Sequence, residues 1–537
     1  MKKILSVLLV IALVFISVSF SAFATEENPD YPIDETFIEG DYEYAIIDDG
    51  TAEIRDYFGE AENLTLPSKL NEYTVSKLAI YSLSECENLE TVVIPDTVTA
   101  IADGVFSGCT SLKKVEIPDA VTIIGAWCFA DCFSLESIVI PKGVTKITHN
   151  AFSRCNKLTS IKVSEDNKKY DSRNDCNAVV ETKTNTLLFG CKSSVIPDTV
   201  TSIGADAFSC CYLLKSINIP NSVKSIGENA FLMCTSLESV VIPDSVETVG
   251  EWAFAECTSL SSVKISNKLT AISGWMFSNC NSLSSVVIPD SVETIDQSAF
   301  VDCSSLLQVS IPESVERVGD WAFCNCSALS AVELPESLKS IGEGAFSNCT
   351  ALKSVVIPKN VSSIGYGAFY GSLSDYVVVL NAECEIKNDA DYSDTFMSKT
   401  LIYGIKDSTA HQYAEIRDMA FEPYCQAPDF THDGIVIEGI PATDFESGLT
   451  DGLQCGICDE MLKAQQEVKP LIGFIGDVDM DSDVTILDAT AVQLYIAQIE
   501  TLSQTQALLA DTDNDKEISI IDVTLIQLFV AHIIDEF

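Results

Sequence analysis

A chain of 537 residues is too long for one compact core, and with 47% hydrophobic residues it is too apolar to be disordered. Its net charge of −47, from 32 Lys and Arg against 79 Asp and Glu, argues against nucleic acid or an anionic membrane surface as partner, since both need clustered cations. The charge is uneven: from Asp375 onward there are 32 acidic residues and 7 Lys or Arg, a density suited to cation binding or to a solvating tail.

At the start, Lys2 and Lys3 precede an apolar run from Ile4 to about Phe20, and Ala22-Phe23-Ala24 offers small residues where a signal peptidase reads. An acidic stretch from Thr25 to Asp30 follows directly, so residues 1–24 are expected to be a cleaved signal peptide and the mature protein to be secreted. No later segment reads as a bilayer span, so direct membrane insertion is not expected. Residues 25–80 are assigned to a linker and a cap.

From residue 81 to 372 the chain repeats. Cys86, Cys109, Cys132 and Cys155 are evenly spaced, and Cys211, Cys234, Cys257, Cys280, Cys303, Cys326 and Cys349 keep the same interval. The unit from Cys234 shows the pattern: Leu237, Val240, Ile242, Pro243, Val246, Val249, Gly250, Ala253, Phe254. Leu-x-x-Val-x-Ile puts apolar side chains on one side of a short strand, and Pro closes it because it cannot donate to a ladder. Val-x-x-Ile-Gly is a second extended piece ending in a turn. One unit cannot bury its own apolar edge, so neighbours must stack into a continuous core. Between Cys155 and Cys211 the period breaks at an insertion, roughly residues 166–194, which is expected to bulge from the solenoid or form a hairpin on its rim. It holds Asp171-Ser172-Arg173 and the pair Cys176 and Cys191.

All four tryptophans, Trp127, Trp252, Trp275 and Trp321, stand two residues before the repeat Phe, where other coils carry Gly, Asn, Asp or Ser. They are candidate target-binding residues as an aromatic strip, or lids over the apolar edge of their own coils. Val93, Val139, Val241, Val287 and Val356, at the outward strand position, form a competing surface.

The repeat resembles the BspA-like, or Treponema-type, leucine-rich repeats over about Asp41 to Tyr424. The resemblance implies a mainly β solenoid. Asp41-Tyr42-Glu43-Tyr44 and Asp48 to Ile54 look like the N-terminal cap. Residues 373–424 look like the C-terminal cap, with Leu401-Ile402-Tyr403-Gly404 and a short helix from Ser408 to Ala414. It speaks weakly to function, because the family serves adhesion and ligand binding of many kinds. The regular cysteines are expected to be buried thiols, since parallel stacking points their Cβ vectors the same way. Cys176 and Cys191 form the pair in which a disulfide is the open alternative.

Residues 425–472 make a small Cys/His-containing module. Cys455-Gly-Ile-Cys458 is a CxxC knuckle that resembles small zinc-knuckle-like repeats of exported bacterial proteins. His432, Asp444, Cys455 and Cys458 are the candidate zinc ligands. Asp444 stands where such repeats carry Cys, and a disulfide or free-thiol spacer is an equal reading.

The last segment, 473–537, holds two acidic loops. From Asp477 the chain places Asp477, Asp479, Asp481 and Asp488 at positions 1, 3, 5 and 12. From Asp511 it places Asp511, Asp513, Asp515 and Asp522 likewise. Carboxylates at alternate positions wrap a Ca²⁺ ion, which takes six to eight oxygens, and Asp483 and Glu517 at position 7 should ligate through their carbonyls. Two Ca²⁺ sites are therefore expected. A near-duplicate helical segment follows each loop. The two successive loop–helix units resemble a type I-like dockerin. That resemblance implies a cohesin-bearing scaffold as partner, with recognition through Ile486, Leu487, Gln493, Leu494 and Gln498, or through Ile520, Ile521, Gln527, Leu528 and His532. Near-identity of the two faces would permit two binding orientations. Position 6 usually holds Gly for φ > 0, and here it is Ser482 and Lys516, at a cost of about 1 kcal/mol each.

The four histidines fall in four different modules, and no nucleophile elbow or HExxH occurs. The chain reads as a non-catalytic binding protein whose solenoid meets a polysaccharide or protein target, retained at a cell surface or in a cellulosome-like assembly through the dockerin. The alternatives are a structural spacer without its own ligand and, remotely, a polysaccharide-acting enzyme.

Overall fold

The computed structural model describes residues 35–388, 394–405, 407–423, five short strands between 435 and 468, and most of 476–530. The expected signal peptide lies outside them. The chain divides into two units, Met1–Phe421 and Glu422–Phe537.

In the first unit most coils contribute two short strands, and within each sheet a strand pairs in parallel with its counterpart in the next coil. Ser239–Val241 pairs with Ser262–Lys264, and Ser285–Val287 with Gln308–Ser310 and then Ala331–Glu333. A second row runs unbroken from Ala271–Ile272 to Glu385–Ile386. The alternation of Ser-Val-Val-Ile sets what faces inward: Val240 and Ile242 are buried while Val241 is 57% exposed. Pro243 ends the strand, as its missing N–H requires.

The repeat Phe sits at the axis. From Phe208 to Phe396 the rings stack coil on coil with centroids 5.1–5.8 Å apart and planes within 20°. Each fully buried ring stabilises the fold by about 1.5–3 kcal/mol through burial alone. Two left-handed backbone positions flank each Phe, as at Trp252 (φ 58°) and Glu256 (φ 59°) around Phe254. The glycine closing the second strand is there for close approach. A Cβ on Gly250 would collide with the Glu228 backbone nitrogen of the preceding coil.

The ladder cysteines are unbridged thiols. Most donate the S–H to the Phe carbonyl of the preceding coil, as Cys257 does to Phe231, Cys280 to Phe254 and Cys303 to Phe277 at 3.2–3.3 Å, while Cys109 donates to Leu83 and Cys211 to Gly190. Where the ladder reaches Ser372, its hydroxyl makes the same bond to Phe346 at 2.7 Å. Burial pushes the Cys257 and Cys303 thiols up to about 12, so they are inert as nucleophiles.

The insertion differs from expectation. Tyr170–Asp171, Val179–Glu181 and Thr186–Phe189 form an antiparallel sheet whose last strand pairs in parallel with Ser202–Ile203 of the following coil. It is a layer of the solenoid, not a rim bulge. Val179 and Phe189 join the core on the N-terminal side, and Val180 and Leu187 join the core on the other. A two-stranded layer has two apolar faces available, so it can divide the core without ending it. The Cys176–Cys191 disulfide is not formed. The two thiols belong to opposite cores and donate to separate carbonyls, those of Ala178 and Asn177.

Further elements flank the coils at both ends. Thr36–Glu39, Tyr42–Ile46 and Ala52–Tyr57 form an antiparallel meander. Its last strand leads in parallel into Tyr73–Leu78 and the second row. At the far end Leu401–Gly404 extends the first row and is followed in the same sheet by Phe421–Pro423. Helix α1 (Thr409–Ile416), N-capped by Ser408, buries Ala410, Tyr413 and Ala414.

In the second unit Ile435–Ile437, Gly452–Gln454 and Met461–Lys463 pair antiparallel, and Gly448–Leu449 pairs with Glu467–Val468. Helices α2 (Ile486–Ile496), α3 (Gln504–Ala510) and α4 (Ile520–Val530) follow, with α2 against α4 over a core of Val478, Ala489, Val492, Ala510, Val523 and Ile526.

Candidate calcium loops and docking faces

The helix starts hold the end of each acidic loop in place. Asp488 and Asp522, at position 12, are fully buried within the first turns of α2 and α4. A buried carboxylate must be bonded, and both are bonded alike. Asp488 Oδ1 accepts from the Val478 N–H and Asp522 Oδ1 from the Thr512 N–H, each at 2.7 Å. The Oδ2 atoms accept from the Thr485 and Ser519 N–H groups, again at 2.7 Å. Thr485 and Ser519 in turn cap the Leu487 and Ile521 amides. The capping residues went unnoticed in the sequence, although Thr485-x-x-Asp488 and Ser519-x-x-Asp522 follow the capping-box pattern.

The second loop is described almost throughout. Carboxylate oxygens of Asp511, Asp513 and Asp522 lie within 4.8 Å of one another. Asp511 accepts from the Asp515 and Lys516 amides, and Asp515 Oδ1 accepts from the Glu517 amide. The chain thus curls around its own carboxylates. Lys516 takes φ 73°, the left-handed turn that position 6 demands. This donor set, hard oxygens on a tight loop, suits Ca²⁺. In the first loop Asp477 is buried, as is Asp488, while Asp479, Asp481 and Asp483 lie outside the described residues. So do His432, Asp444, Cys455 and Cys458, the candidate zinc set, and His532.

The expected docking residues are exposed at the same two places on the duplicated helices. Ile486 and Leu487 are 53% and 61% exposed, and Ile520 and Ile521 are 62% and 54%. Four large aliphatic side chains left in water on a small domain mark a contact surface. Gln493 and Gln527 are exposed, and Leu494 and Leu528 are half-buried. Gln498 lies beyond the end of α2 with φ 59°, so it follows the helix instead of sharing its face.

On the solenoid, the tryptophan slot is left-handed in every coil, including those with Trp: φ is 51° at Trp127, 58° at Trp252, 53° at Trp275 and 55° at Trp321. Trp252 and Trp275 stack with centroids 4.9 Å apart and planes within 5°. Trp321 leans over the next coil, where a Cβ on Gly344 would strike its ring, as Tyr81 leans over Gly104. Ser298, after Trp275, is only 4% exposed. Trp127, 37% exposed, packs edge-on to His149. These contacts favour lids. The outward valines of the first strand row are freer, with Val287 78% exposed.

Residues 76–178, 188–307 and 276–395 match the BspA type leucine rich repeat region, in six copies that together take in more than half of the chain. Residues 475–530 match the dockerin type I domain. Among solved structures, a leucine-rich repeat protein from Eubacterium ventriosum is 26% identical, and the match covers 63% of this chain and 95% of that one at a TM-score of 0.46. One from Bacteroides ovatus is 25% identical over 70% and 100%, at 0.43. A leucine rich cell surface protein from Faecalibacterium prausnitzii is 26% identical over 57% and 95%, at 0.32. No curated protein matches.

Proposed function

The chain belongs to the BspA-type leucine-rich-repeat family, and from that premise we propose that it is a non-catalytic binding protein, displayed outside the cell by calcium-dependent docking of its C-terminal domain onto a cohesin. A leucine-rich-repeat solenoid joined to a type I dockerin supports binding or cohesin docking, and type I dockerins bind calcium in general. No helix among the described residues is long and apolar enough to cross a membrane, so a docking domain supplies the means of retention.

The observation that carries this reading is the duplication at atomic detail: two loop–helix units with the same carboxylate bonds and the same pair of exposed aliphatic residues. Both loops are read as calcium sites, because either one empty would leave several carboxylates repelling across a few ångströms. The solenoid is read as the target-binding part. Its first strand row, with Val139, Val241 and Val287 projecting, is the preferred face, and the indoles serve it as lids.

The test is capture of the full chain on immobilised type I cohesin. Binding in calcium and release by chelator is the expected result. Capture that persists in chelator, or fails against type I cohesins in calcium, overturns the docking assignment.

A further inference from the structure

The net charge hides a local reversal. Residues 154–224 carry ten Lys or Arg against seven Asp or Glu, net +3 in a chain of net −47. The first strand row is divided at several points, after Lys114–Glu116, Ser262–Lys264 and Ala331–Glu333, and its longest interruption falls in this stretch. Ser137–Ile140 and Ser160–Val163 end one sheet, and the row resumes only at a single bridge between Ser216 and Ser239. The second row also ends one sheet here, at Lys146–Ile147, but it resumes within the hairpin layer itself, from Thr186–Phe189 through Ser202–Ile203 to Ser225–Ile226. The hairpin layer therefore opens a seam in the first row, which stays without strands over two coils, while the second row regains its strands at once.

A shallow open groove of about 670 Å³ lies at this seam, lined by Asp198, Asn218, Asn221, Ser222, Val241 and the prolines on either side. Along the outward strand position the residues read Lys162, then Val195, Asn218, Val241 across the seam, then Lys264. Val195 is 66% exposed. Lys192 and Lys215 occupy one repeat position in successive coils, by the register that pairs Ser202 with Ser225. Lys113, Lys114, Lys142 and Lys339 all pair with a carboxylate. Lys192 donates to the Asn156 carbonyl, and Lys264 adds to the bonds from Asn267 in holding the Asp244 carboxyl low, but among the described residues no carboxylate forms an ion pair with Lys162 or Lys215. Cations left unpaired beside a polar groove, in a protein with acid to spare, are charge-complementary to an anion. The pitch narrows the class. Coils repeat at 5.1–5.8 Å along the Phe stack, nearer the residue repeat of a pyranose chain than that of a peptide. An extended peptide has a much shorter residue repeat, ~3.3 Å, and falls out of step. Asn218, Asn221 and Ser222 supply amide and hydroxyl partners for sugar hydroxyls.

We propose that the seam in the first strand row is a binding site for an acidic polysaccharide, a chain of uronate sugars whose carboxylates face Lys162, Lys215 and Lys264. The proposal rests on the reading of the solenoid as a target-binding module and names its ligand class.

The test uses the full chain with calcium chelated, so that ion bridging to the acidic surface cannot carry the signal. Polygalacturonate is compared with its fully methyl-esterified form and with poly-glutamate by calorimetry. Polygalacturonate alone should bind, more weakly as salt rises. Lys162→Glu with Lys215→Glu should weaken it about tenfold. Lys353→Glu with Lys359→Glu, the same charge change elsewhere on the solenoid, should leave it unchanged. Equal binding of the ester or of poly-glutamate, or equal loss in the two double variants, overturns the proposal, as does no binding of polygalacturonate. Capture of a neutral glycan or a protein instead would keep the binding-module reading and remove the acidic ligand.

Discussion

At the residue scale, the repeated Cys serves as a small apolar filler whose S–H satisfies one carbonyl. Ser372 shows that a hydroxyl does the same work at the end of the ladder. Cys280→Ser should therefore cost under about 1 kcal/mol, whereas Cys280→Val, which removes the donor and adds bulk, should cost about 1–3 kcal/mol by denaturant unfolding. Cys86 stands apart. It is only partly buried, whereas Cys109 is fully buried with its S–H on the Leu83 carbonyl. Native-state alkylation with peptide mapping should label Cys86 before Cys109, and equal labelling would contradict the asymmetry. The indoles offer a second test at this scale. A bulky residue at φ > 0 costs about 1 kcal/mol, and Ser298 accepts the slot without an indole. If Trp252 and Trp275 are lids, changing both to Ser should lower the melting temperature and leave polygalacturonate binding per folded molecule unchanged.

The element scale belongs to the paired loop–helix units. Each loop brings several carboxylates together on a short stretch of chain, so an ion that bridges them should stabilise the domain by mass action. Calorimetry of the full chain should show a transition that moves down in chelator while the solenoid transition stays. Lys516→Gly removes both a positive charge beside the ion and a non-glycine residue at φ 73°, so it should raise calcium affinity of the second loop. On the docking faces, charged substitutions at Ile486 and Leu487 should leave cohesin capture intact, as should the same change at Ile520 and Ile521. Only the combined variant should lose it, and abolition by either pair alone would exclude two binding orientations.

For the whole molecule, charge sets the response to pH. Burial raises the carboxyls of Asp131, Asp206, Glu256 and Asp302 in the folded solenoid, outweighing Arg154 at the first and the Asn partners at the others. A raised folded-state value means that the native form binds the proton more tightly. Stability from these groups is therefore present at low pH and lost as pH rises through their folded values. Asp171 has the opposite sign. Burial works against its charge, but bonds from Arg173 and Thr182 outweigh it and hold it below the usual range. Its contribution persists above the ordinary Asp range and is lost below it. Relief of self-repulsion in a chain of net −47 adds to the first trend. The melting temperature of the solenoid should rise from pH 7 to about 5 and fall again below about 4, and a monotonic fall from pH 7 would overturn this account.

The sequence by itself determined whatever depends on period and on residue type. A regular repeat with Leu, Val, Ile and Phe at fixed offsets has one way to bury its apolar edge, and the strands and the axis lie where that pattern puts them. The gathering of Asp511, Asp513 and Asp522 was equally legible, because carboxylate spacing along a single short loop is local information. Tertiary structure alone decided what depends on non-neighbours. It made the insertion a layer between two cores, parted Cys176 from Cys191 onto opposite sides of that layer, and turned the Trp321 indole onto Gly344 of the next coil. It also brought Lys162, Lys215 and Lys264 onto one face beside a break in the sheet. In the sequence they are separate single charges in an acidic chain, and only the stacking of coils about 5 Å apart gathers them into one surface.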